Sequence, residues 1–320
     1  MLSVHAEATG HPYRDPVAGG ERWIDLLDPD GAALAAAIPL SIHATVAERL
    51  RRPARHDDDP RPRLEAHGDY VFGVLVLPTI NEAGDVTRHE IDVVATIDRL
   101  VTVRRTPPGE TVCEIADLVA TAHRDGFPPG MSLYLLVDEI AERFLTVIDR
   151  FDTDIDQLED NVGTWPSQAV REKISLIRHE ILEVRRVLTP SRDAARAVLD
   201  DRVELDGEIS LFPREIELHF ADAYDKLLRA TDSLDLARDL LAGVRDFHQA
   251  QVANDQNEVM KRLTVVASVL LVPTFIVGLY GQNLHGSPEL SWAHGYWFSW
   301  ALIIVTTIGQ LVYFRRKRWI

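Results

Sequence analysis

A chain of 320 residues, 26% charged, has room for two or three folded units, and its hydrophobic fraction, 46%, is ordinary because only the last sixth is membrane-like. Its charge is lopsided: residues 1–262 carry 49 acidic and 30 basic side chains, a net of −19, whereas beyond them Glu289 is the only acid and Arg315, Arg316, Lys317 and Arg318 the only bases. That surface argues against a nucleic-acid partner and favours cations, and the single cysteine, Cys113, excludes an intramolecular disulfide or a thiolate metal cluster.

Residues 1–20 are rich in Gly and Pro without periodicity and read as a flexible N-terminus, with no apolar segment of the kind a signal peptide carries. From 21 to 131 the pattern is that of an α/β domain. Arg22–Leu26 reads as a strand, Leu40–Arg52 as a helix, and Arg51–Arg63 as a loop of charges and prolines. Tyr70–Leu77 (YVFGVLVL) is apolar throughout, as a central strand covered on both faces would be. Val86–Ile97 and Leu100–Arg105 add β-branched strands, and Glu110–Arg124 reads as a helix.

Residues 132–212 form a helical region. Ser132 begins an amphipathic helix that Gly163 ends. Pro166 suits the first turn of the next, which Thr189-Pro190 is expected to kink or break beyond Leu188. Pro213 opens the longest element, a stalk over 213–262. Ile216, Phe220, Ala223, Leu227, Ala230, Leu234, Ala237, Leu241 and Val244 alternate in steps of four and three, the pattern of a left-handed packing seam. His248 and Gln251 take the next two seam positions, and HQAQVANDQNE (His248–Glu258) has almost no apolar face, so it is expected to meet water. Just inside a membrane, that suits the vestibule of a pore.

Residues 263–280 and 296–314 are apolar runs without Asp, Glu, Lys or Arg, each long enough to cross about 27–29 Å of hydrocarbon as a helix. A polar loop, 281–295, joins them, and a basic tail, 315–320, follows. Two spans put both termini on one side. Lys261-Arg262 before the first span and Arg315–Arg318 after the second place that side in the cytoplasm and the protein in the cell membrane. A single hairpin cannot enclose an aqueous path, so transport demands an oligomer.

Tyr280–Asn283 (YGQN), Pro288–Leu290 (PEL), Trp292 and the ending RRKRWI resemble the CorA magnesium-transporter family, whose signature is Tyr-Gly-Met-Asn with a nearby Met-Pro-Glu-Leu. Asn257–Gly281 is similar to that family's first span, and RWIDL (Arg22–Leu26) and HFADAYDKL (His219–Leu227) to its cytoplasmic domain. The resemblance implies a homopentameric funnel: an α/β cytoplasmic domain, long stalk helices and two C-terminal transmembrane helices per subunit, conducting divalent cations with no cofactor.

The resemblance also implies site residues. Gly281, Gln282 and Asn283 would form the outer mouth, with Glu289 in the loop beside it. Thr274, Leu271, Leu263, Met260 and Asn257 would line the pore, the three apolar ones as a constriction that dewets and closes. Asp246 matches an acidic ring at the inner end, and Asp222 a subunit-interface carboxylate for a regulatory ion, its partner expected near Asn81–Asp85 of a neighbouring subunit.

Gln282 replaces the Met of the triplet, and Ser287 the Met before Pro288; changes at the middle position are associated with ZntB-type zinc transporters. The expected cargo is Mg²⁺, with Co²⁺ or Ni²⁺ also carried. Zn²⁺ is the alternative, for which His219, His248, His285 and His294 are candidate softer ligands. No catalytic constellation and no P-loop motif is present, so the chain reads as a transporter rather than an enzyme. A membrane-anchored sensor without transport is the remote rival.

Overall fold

The computed structural model describes residues 22–38, 41–53, 60–107, 112–282 and 292–319. These residues divide into two compact units, one of those within 1–161 and 168–244, the other of those within 162–167 and 245–320. The expected flexible N-terminus, Asn283, His285 and Glu289 lie outside the described residues.

The first unit contains a five-stranded sheet, β1 (Trp23–Leu27), β2 (Arg63–Ala66), β3 (Val71–Ile80), β4 (Val86–Ala95) and β5 (Leu100–Arg104), in the order β1-β5-β4-β3-β2. β1 pairs with β5 in parallel; all other pairs are antiparallel. β3 is buried over its first eight residues, as its apolar run requires of a strand covered on both faces. Two short helices, α1 (Gly31–Ala37) and α2 (Ala44–Arg51), contribute Leu34, Ala37, Val46 and Leu50 to a core with Ile24, Leu26, Phe72, Val74, Val94, Val101 and Val103. α3 (Ala116–Asp125) and α4 (Pro129–Asn161) also pack on the sheet.

Helix boundaries follow their caps. α1 was not expected from the sequence; Asp30 starts it, its Oδ1 accepting the Ala33 N–H at 2.7 Å. α2 starts four residues later than its apolar pattern, because the His43 ring caps it by accepting the Thr45 N–H. Residues 112–115 of the helix expected over Glu110–Arg124 are not helical, and Ile115 precedes the first turn of α3. Gly130, in the first turn of α4, abuts the chain entering the last long helix. A Cβ there would lie 2.0 Å from the Leu211 carbonyl oxygen, and backbone cannot give way.

In α5 (Ser167–Leu199) Pro190 sits inside the helix, so of the kink or break expected there the break does not occur. Proline deprives the Arg186 carbonyl of its helical partner, but Arg186 is exposed, so water can serve that oxygen. The buried Ser191 hydroxyl donates to the Val187 carbonyl (2.8 Å), and the helix holds. Arg150 reaches Glu180 and Lys173 reaches Asp154, both at 3.0 Å, tying α4 to α5.

The longest helix, α6 (Arg214–Gly281), has 68 residues. All nine seam residues from Ile216 to Val244 are buried, as a seven-residue repeat facing one groove should be. Lys226 on α6 bonds Asp138 (2.8 Å) and Glu142 (2.6 Å) on α4; burial alone would lower its pKa, but those two carboxylates hold it above the usual lysine value.

An ion pair that sequence reading missed lies deep in this unit. Asp25 on β1 and Arg104 on β5 are 6% and 3% exposed and meet through two hydrogen bonds of 3.0 and 2.5 Å. Thr102 donates to the same carboxylate (2.8 Å), the Trp23 indole donates to Thr102 (3.1 Å), and Arg104 also reaches the Cys113 carbonyl. Burial pushes the Cys113 thiol up to about 11. The thiolate is the nucleophile. Iodoacetamide at pH 8 should therefore label Cys113 in the folded chain about a hundredfold more slowly than in urea, which mass spectrometry of quenched samples would read.

Candidate functional site: the exposed face of the last helical hairpin

The second unit holds the C-terminal part of α6 and a further helix, α7 (Gly295–Arg316). Its first turn on α6 departs from the expected water-facing stretch. His248 is buried and hydrogen bonds Ser167 (3.0 Å), and Gln251 is half-buried with its carbonyl oxygen unpartnered. These seam positions thus meet the segment 162–167, His248 through the Ser167 hydroxyl and Gln251 beside Gly163. From Ala253 to Thr264 every residue of α6 is exposed, as expected.

The apolar spans behave unlike core helices. Only 11% of the most apolar window of α6 and 6% of that of α7 is buried, and both windows are long and apolar enough to cross a membrane. Between residues 263 and 281 the buried side chains are Val265 and Ile276, eleven positions and thus about three turns apart on one face.

The residues singled out as pore-lining occupy another face. At about 100° per residue, Asn257, Met260, Leu263, Leu271, Thr274, Gly281 and Gln282 fall within an arc of roughly 120°, centred about 150° from Val265 and Ile276. All seven are exposed, Leu271 at 69% and Met260 and Leu263 at 60%. The Thr274 hydroxyl donates to the Leu270 carbonyl (2.7 Å), leaving its oxygen lone pairs as acceptors on that face. The arc therefore alternates amide and hydroxyl acceptors with apolar side chains and carries no charge.

At the end of α6 the Gln282 N–H donates to the Leu279 carbonyl at 3.4 Å. Gly281 is the last helical residue, and a Cβ on it would meet nothing within 4 Å. Within one chain nothing compels glycine at this point. Asn283 and Glu289 are outside the described residues.

At the same 100° per residue Asp246, eleven positions before Asn257, falls on the face of the arc, beyond its uncharged stretch. Asp246 is exposed, its carboxylate 3.0 Å from Arg245. Asp222 is exposed on the first unit, and it adds to the upward pull on the Tyr134 hydroxyl that burial and Asp138 begin. The Asn81–Asp85 loop is a tight turn in which the Asn81 side chain accepts the Asp85 N–H (2.8 Å). Among the described residues no group of three or more His, Cys, Asp or Glu side chains is arranged to hold a metal ion. The described candidate histidines are dispersed: His219 lies against Tyr134, His248 on Ser167 and His294 near Trp292.

A family model described as "CorA-like Mg2+ transporter protein" matches residues 19–316. The cobalt/magnesium transport protein CorA of Thermotoga maritima is 27% identical over 269 residues, covering 81% of this chain and 73% of its own. The protein of the same name from Methanocaldococcus jannaschii is 25% identical over 301 residues, 93% of this chain and 91% of that one. The solved structure described as the complete CorA magnesium transporter from M. jannaschii aligns with a TM-score of 0.75 at 23% identity, covering 93% of this chain and 91% of that one.

Proposed function

This chain belongs to the CorA-like Mg²⁺ transporter family, and from that premise we propose that it is a membrane-potential-driven uptake channel for divalent cations, Mg²⁺ foremost. Support comes above all from the exposed arc of α6: seven residues of the right polarity share one uncharged face, set apart from the buried Val265 and Ile276. Five subunits turning that arc inward would enclose a water-filled path that one hairpin cannot. The α/β unit and both termini then lie in the cytoplasm, on the side of Lys261, Arg262 and the Arg315–Arg318 cluster.

Asn283, Gln282 and Thr274 present neutral oxygens to the path. Mg²⁺ gives up its water shell reluctantly and usually keeps several waters. Amide and hydroxyl oxygens accept hydrogen bonds from those waters without displacing them, so the ion is held loosely enough to leave. Leu271, Leu263 and Met260 supply the opposite chemistry, an apolar ring that empties of water when it narrows. Inward movement is downhill in voltage, at about 2.3 kcal/mol per charge per 100 mV and so about 4.6 for a divalent ion.

Cation flux into proteoliposomes tests the reading. Under an inside-negative potential, Mg²⁺ should enter, Co²⁺ and Ni²⁺ should compete, and Zn²⁺ should compete weakly. Preference for Zn²⁺ over Mg²⁺ would move the assignment to a zinc transporter, which Gln282 makes the natural second choice. Absence of flux for every divalent ion would leave only a membrane-anchored sensor.

Regulation is proposed at Asp222, facing the Asn81–Asp85 turn of a neighbouring subunit. Internal Mg²⁺ bridging these groups would hold acidic subunits together, and its loss would let them part and the apolar ring widen. Asp222→Asn should leave maximal flux intact while raising the internal Mg²⁺ needed for half-closure at least about fivefold. Unchanged inhibition in the same vesicles would remove Asp222 from the regulatory site.

A further inference from the structure

The cytoplasmic end of α7 closes in a folded, charged cap to which conduction assigns no task. The Lys317 N–H donates to the Tyr313 carbonyl (3.0 Å), that of Arg318 to Arg315 (3.1 Å) and that of Trp319 to Phe314 (3.0 Å). Arg318 carries the reversal at φ 55°, left-handed backbone that ordinarily falls to glycine. The Trp319 ring then stacks on Phe314, with centroids 5.6 Å apart and planes 21° apart, and Phe314 is buried. This is the hydrophobic contact that completes such a helix end.

Arg315, Arg316, Lys317 and Arg318 are all exposed, and none forms an ion pair with a described residue. Glu258, the acid that precedes the α6 span, is held by Arg262 at 2.6 Å. Orientation in a membrane needs only that basic residues flank a span, and a loose tail would supply them. Here a non-glycine residue is kept in left-handed backbone and an indole is folded back, which fixes four cations around the point where the span leaves hydrocarbon. In a chain of net charge −16, attraction to an anionic surface has to be local, and this cap is where it is concentrated.

The chemistry that fits is a phosphodiester at headgroup depth. Guanidinium forks pair phosphate oxygens in two-point bonds, an indole favours the headgroup layer, and the Phe314–Trp319 stack offers an apolar flank for acyl chains. We propose that the Arg315–Trp319 cap is a binding site for anionic phospholipid headgroups of the leaflet at that end of α7. The proposal rests on the membrane-spanning reading of α7.

Bromine on lipid chains quenches nearby indoles, and the contribution of Trp319 is the difference between the natural chain and Trp319→Phe, which keeps a stacking ring. The full chain is reconstituted in vesicles of phosphatidylcholine and phosphatidylglycerol in equal amounts, with bromine on one lipid or the other. Trp319 quenching should be about threefold stronger from phosphatidylglycerol, since each basic residue near an anionic surface is worth up to about fivefold in binding. Joint replacement of Arg315, Arg316, Lys317 and Arg318 by Gln should bring the ratio to parity. Arg318→Gly, which suits the left-handed backbone and removes one charge, should lower the ratio only in part.

Parity in the natural chain would overturn the proposal. So would loss of the preference on adding millimolar inorganic phosphate, which would make the cap a site for a soluble anion. Absence of quenching from either lipid at Trp297, Trp300 and Trp319 together would instead bring down the spanning reading beneath it.

Discussion

Leu271→Asn should leave the channel unable to shut. Leu271 is 69% exposed on the uncharged arc of α6, and five copies facing one another would make the apolar ring that excludes water in the closed state. An amide at each position gives water a hydrogen-bonding partner at the narrowest point, so the ring stays wet. Co²⁺ influx into vesicles loaded with enough Mg²⁺ to silence the natural chain should rise at least about tenfold, read by quenching of a trapped dye. Val277→Asn, also exposed, at 60%, but off the arc, should stay silent. If the two variants leak alike, the arc does not face the pore.

The largest loss of stability should come from Asp25→Ala. It leaves the Arg104 guanidinium, 3% exposed, with the Cys113 carbonyl as its remaining partner of those described above. Breaking one side of a buried ion pair costs about 3–5 kcal/mol. Urea unfolding followed through Trp23, whose indole bonds Thr102 beside the pair, would report it. Asp25→Leu with Arg104→Met, which removes both charges, should recover most of the loss. A cost below about 1 kcal/mol for Asp25→Ala would mean that water reaches the pair.

What sequence revealed and what it hid divide along the range of the forces involved. The seam from Ile216 to Val244 was legible because a seven-residue repeat is a local pattern, and all nine positions are buried. The apolar run at Tyr70 was legible as a doubly covered strand for the same reason. Pro190 misled as to a break because a helix breaker acts through one carbonyl, and whether that carbonyl reaches water depends on packing around Arg186. α1 went unread although Asp30 caps it, since GAALAAA has too little contrast between its faces. His248 was taken for water-facing because its polar partner, Ser167, is 81 residues away in sequence. The Asp25–Arg104 pair could not be read at all: two ordinary charges 79 residues apart meet only when the sheet has formed. At the mouth, Gln282 is plain in the sequence, but the ring proposed for it would need side chains from several chains.

The parallel pairing of β1 with β5 bears on the order of assembly. β3, β4 and β5 follow one another as a meander whose turns close over a few residues, so they can form early. β1 must wait, because its register sets Trp23 beside Leu100 and Asp25 beside Thr102 across more than seventy residues of intervening chain. The edge strand is thus the last to zip on and the first to peel away. Since it carries Asp25, Arg104 passes through folding without its carboxylate, beside a sheet edge briefly open to pairing with another chain. Amide exchange should find β1 opening ahead of β3 and β4, which would make a nascent chain's exposure to aggregation a matter of how soon five residues near its start dock.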